Sequence, residues 1–280
     1  MTIELSDPVA FSLGGLEVMW YGVFFAVGLF AGAQCLSRLG PRRDLNQDKL
    51  ANLVLVLAVS AIAGARTLYV ITHWPDFSGD LVSILNLRSG GLVFYGGLIG
   101  GTLGAIWWIR RHHLPFWHVA DVCAVAIPLG HAFGRLGCLL NGCCHGRSGE
   151  WGLLYPVRSS AYYVALWTGK LEDFSNSVPV FPSQALMAAS NLVLFGILLA
   201  LFIRRVRPGL VFASYLVLYS VMRFLNEMTR GDYVTPGTGE PDLFAGFTIA
   251  QLVCFVLLPT GIFLWRYAYK HNSPVASGKK

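Results

Sequence analysis

The chain alternates long apolar runs with short polar breaks. The runs are close to the ~20 residues that carry a helix across hydrocarbon. Seven are read, at about 16–36, 50–72, 91–109, 119–140, 184–203, 209–228 and 247–265. They predict an all-α polytopic membrane protein, with seven transmembrane helices in a single transmembrane domain over residues 1–280. Residues 1–15 are acidic, punctuated by Gly and Pro, and expected at the membrane surface. Residues 141–182 are the longest break. They mix Gly, Pro, Tyr and charges, and read as a small external head segment between spans four and five, without a core of its own. In the third run Gly96, Gly100 and Gly104 recur every fourth residue, a small-residue stripe that lets helix backbones approach closely.

Charge adds direction. Only 13% of residues are charged, against about 25% in a soluble domain. Arg38, Arg42, Arg43 and Lys49 follow the first span, and Arg110 and Arg111 the third. Arg204, Arg205 and Arg207 follow the fifth, and Arg266, Lys270, Lys279 and Lys280 the seventh. Threaded alternately, these clusters share one face, which the positive-inside rule makes cytoplasmic. The N-terminus is therefore expected outside and the C-terminus inside, with the acidic breaks 73–87 and 232–242 external. The net charge of +6 resides in those clusters, so no nucleic-acid partner is expected. No basic stretch precedes the first apolar run, so no cleavable signal peptide is expected.

With this threading, Tyr21, Arg66, Tyr95, His131, Arg135, Arg223, Glu227 and Arg230 all fall near the outer interface. Ionisable groups at membrane depth are costly and mark functional sites by default. His131 and Arg135 are i,i+4, as are Arg223 and Glu227, a spacing that puts each pair on one helix face. Several arginines beside few acids make an electropositive cavity, and arginine stays charged and binds phosphate bidentately. The residues therefore predict a lipid-facing site for an anionic, phosphate-bearing headgroup. Competing readings are a structural ion pair for Arg223 and Glu227 and a snorkelling or paired Arg66. For the whole chain the alternatives are an anion transporter or a non-catalytic anionic-lipid-binding membrane protein.

Cys138, Cys143, Cys144 and His145 have the residue types of a zinc site. Adjacent cysteines rarely share one tetrahedral metal, and no Cys-x-x-Cys redox pair is present. Small residues packed in a turn are expected instead, with no metal, no cofactor, and His145 at the surface or in a turn.

The run Gly134-Arg135-Leu136-Gly137-Cys138-Leu139-Leu140-Asn141-Gly142-Cys143-Cys144-His145-Gly146 resembles the signature of the prolipoprotein diacylglyceryl transferases. Trp20-Tyr21-Gly22, the segment Gly90 to Gly100, Pro182-Ser183-Gln184, and Arg223-Phe224 through Glu227 and Arg230 resemble further motifs of that family, in its order. Asp121 matches an aspartate upstream of the signature arginine. The resemblance implies a multi-pass enzyme of the bacterial plasma membrane. It would transfer diacylglyceryl from phosphatidylglycerol to the lipobox cysteine of a prolipoprotein signal peptide, forming a thioether and releasing glycerol phosphate.

The family often carries histidine where this chain has Tyr95, and Leu-Tyr-Glu where it has Ala185-Leu186-Met187. The candidates for catalytic roles are Arg135, Arg223, Tyr95 and His131. The candidates for substrate binding are Arg135, Tyr21, Arg66, Asn141, Gly142, Glu227 and Arg230. For the proton of the acceptor thiol three carriers stay open: His131, which titrates near neutrality, Tyr95, or no dedicated side chain beyond the cationic cavity.

Overall fold

The computed structural model describes residues 2–5, 7–86, 90–157, 159–171, 176–235 and 243–272. The tail lysines Lys279 and Lys280 and much of the acidic 232–242 break lie outside the described residues. In chain order the elements are β1 (Thr2–Glu4), β2 (Val9–Leu13), β3 (Leu16–Met19), α1 (Trp20–Leu39), α2 (Gln47–Thr72) and the single turn α3 (Trp74–Phe77). Then come α4 (Phe94–Arg111), α5 (Phe116–Asn141), β4 (Ser148–Leu154), α6 (Ser160–Trp167), α7 (Ser183–Ile203), α8 (Leu210–Glu227) and α9 (Ile249–His271). Each apolar run becomes one long helix.

Among the described residues, five helices are long and apolar enough to cross a membrane: α1 with the turn after it, α2, α5, α7 and α9. The other two runs, α4 and α8, form helices of 18 residues. They are diluted by Arg110 and Arg111 in the first case and by Arg223 and Glu227 in the second. The first span also begins later than its apolar run. Leu16–Met19 is instead a strand, antiparallel to β2 across Gly14 and Gly15. Both glycines have positive φ, the backbone that tight hairpin turns require.

The chain divides into two compact units, residues 36–119 and residues 1–35 with 120–280. In the first, α2 and α4 pack through the predicted glycine stripe. A Cβ on Gly96 would strike the Gly64 carbonyl, one on Gly100 the Ser60 carbonyl, and one on Gly104 the Ser60 hydroxyl. Close backbone contact of this kind is how helices gain dispersion energy in lipid, where no hydrophobic drive is left. Beyond this seam the Arg66 guanidinium collects carbonyls from the link between α3 and α4. Nε donates to Ile84 (2.8 Å), Nη1 to Gly90 (2.9 Å) and Gly91 (3.1 Å), and Nη2 to Ser83 (2.8 Å) and Asn86 (3.1 Å).

In the second unit α1 crosses α5 at Gly28 and Gly130, where a Cβ on Gly28 would stand 2.8 Å from the Gly130 carbonyl oxygen. The fully buried Asp121 of α5 accepts from the backbone N–H of Gly209 (2.9 Å) and of Phe212 (3.0 Å). It thereby caps the start of α8, where unpaired N–H groups and the helix dipole both favour an anion. Thr248 and Gln251 form a capping box that opens α9.

The 141–182 segment differs from expectation in having a small core, formed by Tyr155, Ala161 and Val180 with Leu5, Leu153 and Val178 around it. Parallel pairing of β1 with β4 draws the N-terminus into it. The Tyr155 hydroxyl donates to the Leu139 carbonyl (2.9 Å), and Gln184 Nε2 donates to the Cys143 carbonyl (2.9 Å). The segment is thus tied to the end of α5 and the start of α7.

Candidate active site

Arg135 stands near the end of α5, which Asn141 closes. Its Nε donates to His131 Nε2 at 3.0 Å. That nitrogen is therefore an acceptor, and the imidazole proton sits on Nδ1. His131 orients the arginine fork and leaves both terminal nitrogens of Arg135 outside this bond.

Arg223 and Glu227, one turn apart on α8, form an ion pair. Glu227 is held from two more sides, by the Thr248 hydroxyl on Oε2 (3.3 Å) and by Arg230 Nη1, 3.6 Å from Oε1. Arg230 in turn forks onto Asp232, with Nε 2.8 Å from Oδ1 and Nη2 2.7 Å from Oδ2, and its guanidinium lies 4.4 Å from the Tyr233 ring centre. Beyond these ion pairs, Arg223 Nη1 and Glu227 Oε1 are both buried with no hydrogen-bond partner among the described residues. A buried donor left open is costly.

The three arginines share one electrostatic neighbourhood. The charges of Arg135 and Arg223 both act on His131 and on Tyr219, and Arg230 acts on Arg135. Tyr219 lies one turn before Arg223 on α8, its ring 6.0 Å from that of His131. Sequence reasoning missed it, although its i−4 relation to Arg223 was the available signal. Tyr21 lies against α5, with its Cα 3.2 Å from where a Cβ on Gly137 would stand.

The other expected residues fall differently. Gly142 has a φ of 74°, and a Cβ there would come within 3.0 Å of Ser159 and of the Tyr155 ring. Glycine is thus demanded by the turn and its packing. Tyr95 lies in the first turn of α4, edge-on to Phe94, and with Arg66 it belongs to the other compact unit. All five donor positions of Arg66 are taken by backbone carbonyls, and its charge also faces the rings of Tyr69 and Phe77 at 5.6 and 5.2 Å. This is a strut holding a loop, with no donor left over for a phosphate.

His145 is not the surface histidine expected. It is buried, its Nδ1 is 2.9 Å from the Gly146 carbonyl, and its Nε2 has no partner among the described residues. Burial holds its pKa below the ordinary histidine value. It lines a cavity of about 320 Å³ with Arg147, Lys170 and Arg230. A larger cavity of about 440 Å³ beside it carries Lys170 but none of the arginines.

The three cysteines around the α5 terminus converge. The sulfurs of Cys138, Cys143 and Cys144 lie within 4.8 Å of one another. Cys144 has left-handed backbone, φ 61°, which turns its side chain to the same side as its neighbour's. Its thiol is held below the usual range by hydrogen bonds from Cys138 and Cys143, and then by the charges of Arg230 and Arg135.

With this geometry in place, residues 8–267 match the family model described as prolipoprotein diacylglyceryl transferase. The chain belongs to that family. A relative in Synechocystis, named phosphatidylglycerol–prolipoprotein diacylglyceryl transferase, is 32% identical over 98% of this chain and 94% of its own. Relatives of the same name in Xylella fastidiosa (32% identical, 92% of this chain and 91% of that one) and Bacillus mycoides (34%, 82% and 83%) agree. This member of the family is therefore a membrane transferase. Residues 134–146 build the end of α5 and the turn after it, where Arg135 and the three thiols stand.

Proposed function

We propose that this chain moves the diacylglyceryl group of phosphatidylglycerol onto the lipobox cysteine of prolipoproteins in the bacterial plasma membrane. Seven spans carry it there, α4 and α8 included, with the N-terminus and the head segment outside. The observation that carries the reading is the arginine neighbourhood on α5 and α8, with one buried guanidinium nitrogen of Arg223 open. The names of the relatives supply the two substrates.

In the reaction the acceptor thiolate attacks the glyceryl carbon that bears the phosphate ester. A carbon–sulfur bond forms, the carbon–oxygen bond breaks, and its electron pair leaves with glycerol phosphate. Arg135 and Arg223 bind the phosphate and hold the charge that grows on its leaving oxygen, which is electrostatic stabilisation of the transition state. Glu227, braced by Thr248 and Arg230, fixes the direction of Arg223. Lipid and peptide held side by side add the proximity contribution.

The thiol proton must go to a base or to the departing phosphate. His131 takes it only by giving up its bond from Arg135, so its first role is to position that arginine. The cationic neighbourhood itself favours the thiolate. Purified protein incubated with labelled phosphatidylglycerol and a lipobox peptide tests the proposal. Thioether formation supports it. Binding of lipid without transfer, or anion flux in vesicles without transfer, would overturn it in favour of a lipid-binding or transport protein.

A further inference from the structure

Transfer as described uses none of the three thiols at the α5 terminus, yet they are gathered. Cys138 is buried and Cys143 and Cys144 are half-buried, so the site is enclosed but reachable. All six cysteines of the chain are free thiols, and these three alone form a group of three or more metal-ligating side chains among the described residues. We propose that Cys138, Cys143 and Cys144 form a trigonal thiolate site for a soft monovalent metal ion, copper(I).

Three sulfurs around one ion at about 2.3 Å stand about 4.0 Å apart in a trigonal plane. From the observed limit of 4.8 Å the sulfurs need to close by less than about 1 Å to reach that spacing. Adjacent cysteines are an obstacle in regular backbone, where neighbouring side chains diverge. The left-handed Cys144 removes that obstacle.

The donor set selects the ion. Thiolates favour soft ions such as copper(I), whereas structural zinc takes four ligands. No fourth His, Cys, Asp or Glu atom joins the cluster among the described residues. The bound complex has a net charge of −2, from one positive ion and three thiolates. Arg135 and Arg230, whose charges act on Cys144, compensate it. On the transfer reading above, an occupied site would also draw these arginines away from an anionic headgroup. The site itself stands on the thiols and does not depend on that reading.

The test is anaerobic titration of the reduced full-length protein in detergent with copper(I), against a competing chelator. One tightly held ion per chain is expected, with X-ray absorption showing three sulfur neighbours at about 2.3 Å. Cys144→Ser should weaken binding by about 100-fold or more, above what loss of an outer-shell partner costs. Cys35→Ser should leave it unchanged. The native protein supplies a second measurement: bound copper should shield Cys138, Cys143 and Cys144 from alkylation and leave the alkylation rate of Cys35 unchanged. Failure to compete with the chelator, unchanged affinity in Cys144→Ser, or no selective shielding would each overturn the site.

Discussion

Arg66 offers the sharpest test of how this structure assigns roles, because sequence and geometry assign it differently. An arginine at the depth of the lipid headgroups reads as a phosphate ligand, but here it spans five carbonyls at 2.8–3.1 Å. Arg66→Lys keeps the charge and has at most three donors, so at least two charge-assisted bonds go. At about 1.5–3 kcal/mol each, the gross loss is about 3–6 kcal/mol. Asn86 and Gly90 are exposed, so some freed carbonyls turn to water, and a net loss of about 2–4 kcal/mol is expected. The assay pairs thermal unfolding in detergent with the KM for phosphatidylglycerol of the surviving folded protein. A melting point lower by several degrees with an unchanged KM supports the strut. Wild-type stability with a KM raised about tenfold, which is the ~1.4 kcal/mol of a lost ligand contact, would refute the reasoning.

Other outcomes follow from the second unit. Arg135→Ala and Arg223→Ala should each abolish thioether formation in membranes while the protein still inserts, read by labelled-lipid transfer and by immunoblot of the membrane fraction. His131→Gln should lower the rate by loosening Arg135. An unchanged pH–rate profile in that variant excludes the imidazole as base. Asp121→Ala leaves two helix-start N–H groups unpaired and should cost about 2–4 kcal/mol in thermal stability, with Asp121→Asn recovering part of it. His145 binds its proton less readily folded than unfolded, so its contribution is intact above about pH 6.5 and is lost as acid protonates it. His145→Gln should flatten the decline in melting temperature between pH 7 and pH 5.

The helices were legible because apolar length and helical length coincide in a bilayer protein, and the glycine stripe because its period is local. The charge clusters around them are local in the same way. What escaped depends on distant segments. Leu16–Met19 is apolar enough to read as the start of a span, and only its pairing with β2 makes it a strand. The carbonyls around Arg66 come from a loop whose course no periodicity announces. His145 looks like a turn residue until the head segment covers it. Cys138, Cys143 and Cys144 read as small residues packed in a turn, and how closely their sulfurs gather depends on a left-handed residue that spacing does not announce. The Arg135–Arg223 neighbourhood was legible for a simpler reason: charge in an apolar run stands out against its surroundings.

The capping of α8 by Asp121 reaches further than local stability. Arg135 lies as many residues beyond Asp121 as Arg223 lies beyond Gly209, roughly four turns or about 21 Å at 1.5 Å per residue. The carboxylate therefore acts as a shared zero mark for two equal lengths of chain, one running to each guanidinium. An insertion of a single residue between Asp121 and Arg135 would offset that scale by about 1.5 Å and swing the fork about 100° around its axis, a misalignment that no substitution at the arginine itself could undo.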